Sequence, residues 1–311
     1  MKKGAAKMET KKQVVTGAFG YLGKYIAEEL VKDGQKVSTL TGHPRRRDPF
    51  NNKVEAMPYD FTRPGAIVER LKDTDTLFNT YWVRFNHGDQ TFGQAVARTQ
   101  NMVRAARRAG VRRIVHISIT NPHLESSLPY FRGKAVLEET IKRSGLSYTI
   151  IRPTVFFGGE DILINNIAWL LRRFPVFGMF GNGDYRLQPV YVKDVARLAV
   201  RLGKEDHDIT IDAVGPETYT FRELVNMVRE ATGSRSAIIP LPSLVAYLAG
   251  KIMGPFVNDV IITRQEMAGL MEGLLVSWEG PSCSTRFSDW LSEHSMELGR
   301  SYRSELKRHF K

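Results

Sequence analysis

The stretch QVVTGAFGYLGKYIAEEL, residues 13–30, decides the fold of this chain. A β-branched run is followed by three closely spaced glycines and then by apolar residues at helical spacing, which predicts a strand, a tight turn and a helix. Glycines at such a junction let the backbone approach a pyrophosphate closely, and the helix N-terminus offers free N–H groups to the anion. We therefore predict dinucleotide binding by the residues of the turn, which are Gly17, Ala18, Phe19, Gly20, Tyr21, Leu22 and Gly23.

The same alternation of strand and helix patterns continues to about residue 158. It predicts an α/β fold in which a doubly wound parallel sheet of the Rossmann type is joined to a smaller, mainly helical C-terminal lobe. We expect residues 13–160 to form the dinucleotide-binding core, with 189–214 returning to the sheet. The smaller lobe is predicted over 161–188 and 215–311, above the carboxyl edge of the sheet, and residues 1–12 are predicted to be a flexible tail.

Composition narrows the function classes. The chain has 311 residues and a net charge of +12, but the basic residues are scattered outside the first dozen residues and the run at 45–47, so nucleic-acid binding is disfavoured. The single cysteine, Cys283, excludes an intrachain disulfide and a cysteine-based zinc site, and a reducing cytoplasm fits best. The seven histidines are dispersed, so we predict no metal site.

The longest apolar stretch, residues 237–257, is interrupted by Pro240, Pro242, Lys251 and Pro255. These interruptions predict a helix packed on the core rather than a transmembrane segment. Shallow contact with a membrane surface stays open as an alternative.

The end of the second strand, TLTGHPRRRDP at residues 39–49, predicts which dinucleotide binds. An acid usually holds the ribose 2′-hydroxyl at this position, whereas here His43 is followed by Arg45 and Arg46. That arrangement suits a 2′-phosphate, so NADP(H) is favoured over NAD(H). The alternatives are an ordinary exposed basic loop, or a role for Asp48 turned inward.

Further cofactor contacts are predicted where later strands end. Asp60 and Phe61 follow the third strand, where a side chain could cover the adenine, although aspartate is also a common turn residue. Asn79 and Thr80 end the fourth strand, above the expected position of the cofactor. From the sixth strand we predict contacts by Pro153 and Val155.

Tyr130 and Lys134 lie one helical turn apart, and the strand before their helix ends with Ser118 and Thr120. A phenol gives a proton to a carbonyl oxygen only if its pKa comes down from about 10. A shift of about three units corresponds to about 4 kcal/mol, close to what one ammonium supplies at about 4 Å. Tyr247 and Lys251 share the spacing but lack a partner strand, so the first pair is the better candidate for catalysis.

Together these motifs resemble the short-chain dehydrogenase/reductase superfamily in its extended or atypical branch, which includes epimerase-like and NmrA-like proteins. The matching segments are TGAFGYLG at 16–23, YFRGK at 130–134 and IRPTVFFG at 151–158. The resemblance implies a small-molecule substrate with a carbonyl or secondary alcohol, Tyr130 as acid/base, Lys134 as its tuner, and Ser118 or Thr120 polarising the substrate oxygen. It also implies a possible homodimer through the helix that carries Tyr130.

The resemblance leaves a second function open, because related cofactor-binding regulators and assembly factors carry out no chemistry. Two departures bear on this choice. Gly42 stands where NADP-binding relatives commonly have a basic side chain, and Ser118 precedes Tyr130 by a shorter interval than in sugar epimerases. The second departure places a nucleotide-sugar substrate in doubt.

Overall fold

A computed structural model of the chain describes residues 11–44, 46–60 and 63–309. Three predictions fall wholly or partly elsewhere: Arg45, Phe61 and residues 1–10 of the expected tail lie outside the described residues.

The described part of the chain contains the following elements in sequence order. The strands are β1 (Lys12–Thr16), β2 (Lys36–Thr41), β3 (Val54–Pro58), β4 (Thr74–Asn79), β5 (Arg113–Ile117), β6 (Ser147–Pro153), β7 (Val155–Phe157), β8 (Val176–Phe180), β9 (Arg186–Leu187), β10 (Pro189–Tyr191), β11 (Ile209–Ala213), β12 (Tyr219–Thr220) and β13 (Ala237–Leu241). The helices are α1 (Tyr21–Lys32), α2 (Pro64–Leu71), α3 (Phe92–Arg108), α4 (Pro129–Lys142), α5 (Leu163–Arg173), α6 (Val192–Leu202), α7 (Phe221–Ala231), α8 (Ser243–Val257), α9 (Arg264–Met271), α10 (Phe287–His294) and α11 (Glu305–His309).

Seven parallel strands form the central sheet in the order β3-β2-β1-β4-β5-β6-β11. From β1 the chain adds β2 and β3 on one side and then β4, β5, β6 and β11 on the other. Because the direction changes at β1, the connecting helices lie on both faces of the sheet. Helix α1 packs against α6, whereas α3 packs between α2 and α4. Buried strand residues face each layer, with Val15 against the α1 and α6 side and Val14 against the other. The predicted doubly wound α/β fold is confirmed.

The smaller lobe has an aromatic core of its own. Phe157 contacts Phe287 at 5.2 Å and Trp290 at 5.4 Å between ring centroids, and Phe221 is also fully buried in the same cluster. Helices α5, α7, α9 and α10 supply most of this cluster, and short strand pairs β7–β10, β9–β12 and β8–β13 complete it. The predicted mainly helical C-terminal lobe is confirmed.

The chain leaves the main sheet for the lobe at Thr154. The sequence predicted that Pro153 and Val155 belong to one sixth strand, but β6 ends at Pro153, and Val155 begins β7, which pairs with β10 instead. The Thr154 hydroxyl donates to the carbonyl oxygen of Gln188, in the segment just before β10, which fixes the change of partner. This switch places Thr154 and Val155 between the carboxyl edge of the sheet and the lobe.

Helix α8 packs on the core of the lobe through one side, where Ala246 and Tyr247 contact it, but its other side is exposed, which the sequence did not predict. Its one buried residue is Gly254, and Ile252 and Phe256 are 70% and 86% exposed. Across the residues that the structure describes, no helix combines the length and apolar character needed to cross a membrane.

Candidate functional site

The glycine-rich turn between β1 and α1 depends on close backbone packing. Gly17 has a φ of +67°, which favours glycine, and its carbonyl oxygen accepts a hydrogen bond of 2.8 Å from the N–H of Gly20. A Cβ added at Gly23 would lie 2.4 Å from that same oxygen. Two of the three glycines are therefore required by geometry, one by its backbone conformation and one by the space that the helix leaves.

The N-terminus of α1 is open to an anion. Its N-cap residue is Gly20, which makes no side-chain capping hydrogen bond, and the first turn contains no acidic residue. Uncapped N–H groups and the positive end of the helix dipole both favour a negatively charged group. The turn and the helix together thus fit the pyrophosphate of a dinucleotide.

Neighbouring side chains fix the turn from both sides. The N–H of Ala18 donates to the Thr39 hydroxyl at 3.0 Å, which ties the turn to β2. The Phe19 ring lies 6.2 Å from that of Phe50. The Tyr21 hydroxyl donates to the carbonyl oxygen of Gly158 at 2.7 Å, which ties the turn to the end of β7.

The loop after β2 carries several basic residues, and the carboxylate of Asp48 is hydrogen-bonded within the loop. The Asp48 side chain accepts hydrogen bonds from the N–H groups of Phe50 and Asn52, at 2.7 and 2.6 Å, so it closes its own turn. Burial and then the nearby charge of Arg308 lower the pKa of Arg46. His43 is exposed, and its N–H donates to the Thr41 hydroxyl. Two neighbouring guanidinium groups beside the glycine-rich turn suit a phosphate.

Asn79 and Thr80 sit at the end of β4, beside the turn, and bind the end of β1. The Thr80 hydroxyl donates to the carbonyl oxygen of Thr16 at 2.6 Å, and the Thr16 hydroxyl donates to Asn79 Oδ1 at 3.2 Å. Asn79 Nδ2 is 2.9 Å from His116 Nδ1. The buried Asn79 side chain therefore holds the strand ends in place. Asp60, just beyond β3, forms an ion pair of 3.5 Å with Arg63.

Tyr130 and Lys134 both contact Trp82. The Tyr130 ring meets the Trp82 ring edge-on at 5.5 Å, and Lys134 Nζ lies 4.6 Å from the centre of the Trp82 ring. Lys134 Nζ also donates to the carbonyl oxygen of Ile117 at 2.7 Å. The close approach explains Gly133, because a Cβ there would lie 2.9 Å from the Trp82 ring.

The pKa values of this pair are both displaced by burial. Burial, followed by the carboxylates of Glu266 and Glu305, raises the pKa of Tyr130. Burial lowers the pKa of Lys134 to about 7, and the charge of Glu138 acts in the opposite direction. In the structure described here, Tyr130 is therefore a neutral phenol and Lys134 exchanges its proton near neutral pH.

Ser118 and Thr120 have partners of their own. The buried Ser118 hydroxyl donates to Glu138 at 2.6 Å, and Glu138 is held by two hydrogen bonds from Arg152. The Thr120 hydroxyl donates to Asp212 at 3.2 Å. The side chain between them, Ile119, lines the cavity described next.

A cavity of about 590 Å³ lies between the sheet edge and the lobe. Of the predicted site residues, Tyr21, Tyr130 and Val155 line it, and its remaining wall is mostly apolar. Side chains from the lobe that form this wall include Leu163, Ile167, Leu170, Phe177, Met253 and Leu270. A cavity of this size holds a small molecule, and its walls favour an apolar one.

Polar groups in the cavity wall were not predicted from the sequence. Arg84 pairs with Glu266 and donates to the carbonyl oxygen of Ile261 at 3.1 Å, while its buried Nη1 has no hydrogen-bond partner. Burial raises the pKa of Asp161 to about 7, although hydrogen bonds from Ile164 and Asn165 favour its charged form. Neither Arg84 nor Asp161 belongs to a motif that sequence reading could have used.

Within the described ranges 11–44, 46–60 and 63–309, no three histidine, cysteine or carboxylate side chains are grouped so that they could hold a metal ion.

Comparison with known proteins agrees with this geometry. Residues 17–165 match a family model described as NAD(P)H-binding. The NADP(H) complex of Citrobacter sp. triphenylmethane reductase shares the fold, with a TM-score of 0.71 and 19% identity over 92% of this chain and all of that one. The match indicates that residues 17–165 resemble an NAD(P)H-binding domain. The resemblance inferred from the sequence motifs is thereby confirmed.

Curated relatives of the chain differ in function. A mitochondrial protein of Arabidopsis thaliana, NADH dehydrogenase [ubiquinone] 1 alpha subcomplex subunit 9, is 24% identical over 85% of this chain and 70% of its own length. A ceramide reductase of Caulobacter vibrioides is 25% identical over 77% of this chain and 76% of its own length.

We predict that Gly23→Ala weakens cofactor binding. Alanine normally stabilises a helix relative to glycine, but here its methyl group would displace the Gly17 carbonyl and distort the turn. We expect calorimetric titration with NADPH to show at least a tenfold loss of affinity, which corresponds to about 1.4 kcal/mol. Gly280→Ala is the control, because nothing lies within 4 Å of the Cβ it would add. Equal affinities for the two variants would contradict this account of the turn.

The buried Lys134 predicts a stability that rises with pH. Its pKa is about 7 in the folded chain against an ordinary value of 10.5, so between these values the unfolded chain binds one more proton. The free energy of unfolding should increase by about 2 kcal/mol from pH 7 to pH 9 through this group. Urea unfolding of Lys134→Met should lack that slope, and Lys142→Met on the same helix should keep it. A wild-type slope retained in Lys134→Met would contradict the prediction.

Proposed function

We propose that the protein is an NADP(H)-dependent oxidoreductase that reduces the carbonyl group of an apolar small molecule or oxidises the corresponding alcohol. The observation that carries the proposal is the adjacency of two sites. An open helix N-terminus built for a dinucleotide lies beside a cavity of about 590 Å³, and Tyr21 belongs to both. The mostly apolar cavity wall favours this substrate class over a nucleotide sugar, which is polar throughout.

The bound dinucleotide would supply or accept the hydride. Its pyrophosphate would rest on the N–H groups at the start of α1, and Arg46 with Arg308 would face the 2′-phosphate. The apolar wall excludes water from the substrate, which strengthens each polar contact made inside the cavity.

Tyr130 is the proposed proton donor to the carbonyl oxygen. Burial keeps its hydroxyl protonated, and donation would require its pKa to fall when cofactor and substrate bind. Arg84 Nη1, a buried donor without a partner, is placed in the same wall to orient that oxygen. Lys134, one helical turn away, is proposed to tune the pKa of Tyr130 once its Nζ leaves the Ile117 carbonyl. Ser118 and Thr120 would act on the substrate only after leaving their carboxylate partners.

A second function, binding NADP(H) without turnover, is favoured by the contacts of Lys134 and by the pKa of Tyr130. Lys134 is held by the Ile117 carbonyl and lies over the Trp82 ring, and the pKa of Tyr130 is raised, although an acid/base pair requires it to be lowered. In that case the protein would be a cofactor-sensing regulator or an assembly factor. The relative from Arabidopsis thaliana, named as a subunit of NADH dehydrogenase, is consistent with such a role.

The expected compartment is a reducing one. Cys283, the single cysteine of the chain, is free and buried, and burial raises its thiol pKa to about 11. We keep the cytoplasm as the proposed location, while the Arabidopsis thaliana relative is a mitochondrial protein. A homodimer through α4 also remains a proposal.

Cofactor preference provides the first test. We expect the wild-type protein to bind NADPH at least tenfold more tightly than NADH, a difference of about 1.4 kcal/mol. Arg46→Ala should remove this preference and leave NADH affinity within about twofold, because it removes a partner of the 2′-phosphate alone. Arg104→Ala, on the exposed side of α3, should change neither affinity. Equal binding of both dinucleotides by the wild-type protein would contradict the NADP(H) assignment.

Turnover separates the two candidate functions. We expect NADPH oxidation with at least one member of a panel of apolar ketones, aldehydes and quinones. For that probe, Tyr130→Phe should lower kcat/KM by about 10² to 10⁴, the usual contribution of a positioned acid, while NADPH affinity stays within about twofold. Tyr148→Phe, in β6, is the matched control. NADPH binding without turnover of any probe would favour the second function, whereas equal rates in Tyr130→Phe would contradict the role given to Tyr130.

A further inference from the structure

Helix α8 is apolar on two opposite faces. One face lines the cavity with Ala246, Ala249, Gly250 and Met253, which follow the i, i+3, i+4, i+7 spacing of a helix stripe. The opposite face carries a second stripe at intervals of four, made of Leu244, Leu248, Ile252 and Phe256. Their exposed fractions are 59%, 47%, 70% and 86%. A helix that is hydrophobic all round is normally buried, whereas the residues that the structure describes leave the outer stripe of α8 exposed.

The outer stripe continues onto neighbouring elements. Val245 on the same helix is 47% exposed, as is Val176 on β8, against which α8 packs. Ile239, on β13 beside β8, is 42% exposed, and Met271 is 43% exposed, with its sulfur 3.4 Å from the Ser243 hydroxyl at the start of α8. We call these eight residues the α8 patch. Contiguous exposed apolar surface of this extent marks an interaction site.

Two exposed basic residues, Lys251 and Arg264, lie beside the α8 patch, and one exposed acid, Glu272, follows Met271. Lys251 is the one charged residue within α8, and Arg264 places its guanidinium 4.8 Å from the centre of the Tyr247 ring. Lys251 and Arg264 are both exposed and both line a shallow second cavity beside the helix. The acid of that cavity, Asp259, is buried and accepts hydrogen bonds from the N–H groups of Glu305 and Leu306.

We propose that the α8 patch docks on the surface of an anionic lipid bilayer. Exposed apolar side chains next to lysine and arginine, on a chain with a net charge of +12, complement acyl chains below and anionic headgroups above. A helix of 15 residues is about 22 Å long and is shorter than the bilayer core, so it lies in the interface. A second copy of the chain would bring the same basic residues together, which makes the bilayer the better partner.

Docking in this way would connect the bilayer with the cavity. The inner stripe of α8 forms part of the cavity wall, so an apolar ligand would pass from the acyl chains to the cavity around one helix. This consequence rests on the proposed function, whereas docking itself does not.

Vesicle flotation with the full chain tests the docking. We expect the wild-type protein to float with vesicles of phosphatidylcholine and phosphatidylglycerol mixed three to one, and to be released by about 0.5 M salt, since salt screens exposed charges. The double variant Ile252→Glu/Phe256→Glu should lose at least tenfold of the vesicle-bound fraction. Met296→Glu is the matched control, because Met296 is 71% exposed but lies after α10.

Cofactor titration in the absence of vesicles keeps the outcomes distinct. Both variants should bind NADPH as the wild-type protein does, which shows that they are folded and separates a failure of docking from a failure of the proposed function. Three results would overturn the proposal: no flotation of the wild-type protein, equal flotation of the double variant, or a wild-type dimer that Ile252→Glu/Phe256→Glu dissociates. The last result would mean that a second copy covers the patch.

Discussion

The contact between the start of α1 and the carbonyl of Gly17 governs the rest of the site. Because Gly23 has no Cβ, the helix begins close to the end of β1, and its N-terminal N–H groups stay free of side-chain caps. The same turn is tied to β2 through Thr39 and to the end of β7 through the Gly158 carbonyl. The anion site and one wall of the apolar cavity are therefore positioned by a single piece of backbone.

Change of strand partner after Pro153 provides the second constraint. The chain leaves the seven-stranded sheet, and β7 joins the lobe through β10, which opens a space above the sheet edge. Aromatic packing around Phe157 holds that arrangement from the lobe side. The lobe then lines the space with apolar side chains, so its chemistry is set by lobe packing while the dinucleotide site is set by the sheet.

Local patterns in the sequence were sufficient for the fold and for the glycine-rich turn. Strand and helix periodicities identified the doubly wound sheet, and the three glycines predicted the tight turn before α1, because both depend on neighbours in the chain. Long-range contacts were not predictable in this way. Trp82 lies between Tyr130 and Lys134 although it is about fifty residues away in sequence, and Arg308 approaches Arg46 from the far end of the chain. The spacing of Tyr130 and Lys134 predicted a shared helix face but could not reveal their different partners.

Hydrogen–deuterium exchange with and without NADPH tests the central claim most directly, because it reports on the backbone N–H groups themselves. If the open start of α1 binds the dinucleotide, NADPH should slow exchange in residues 17–24, and in the segments at 79–81 and 154–158 that adjoin the turn. The strands β8 and β13 of the lobe should exchange as before. Unchanged exchange in residues 17–24, with NADPH bound at saturation, would contradict the account.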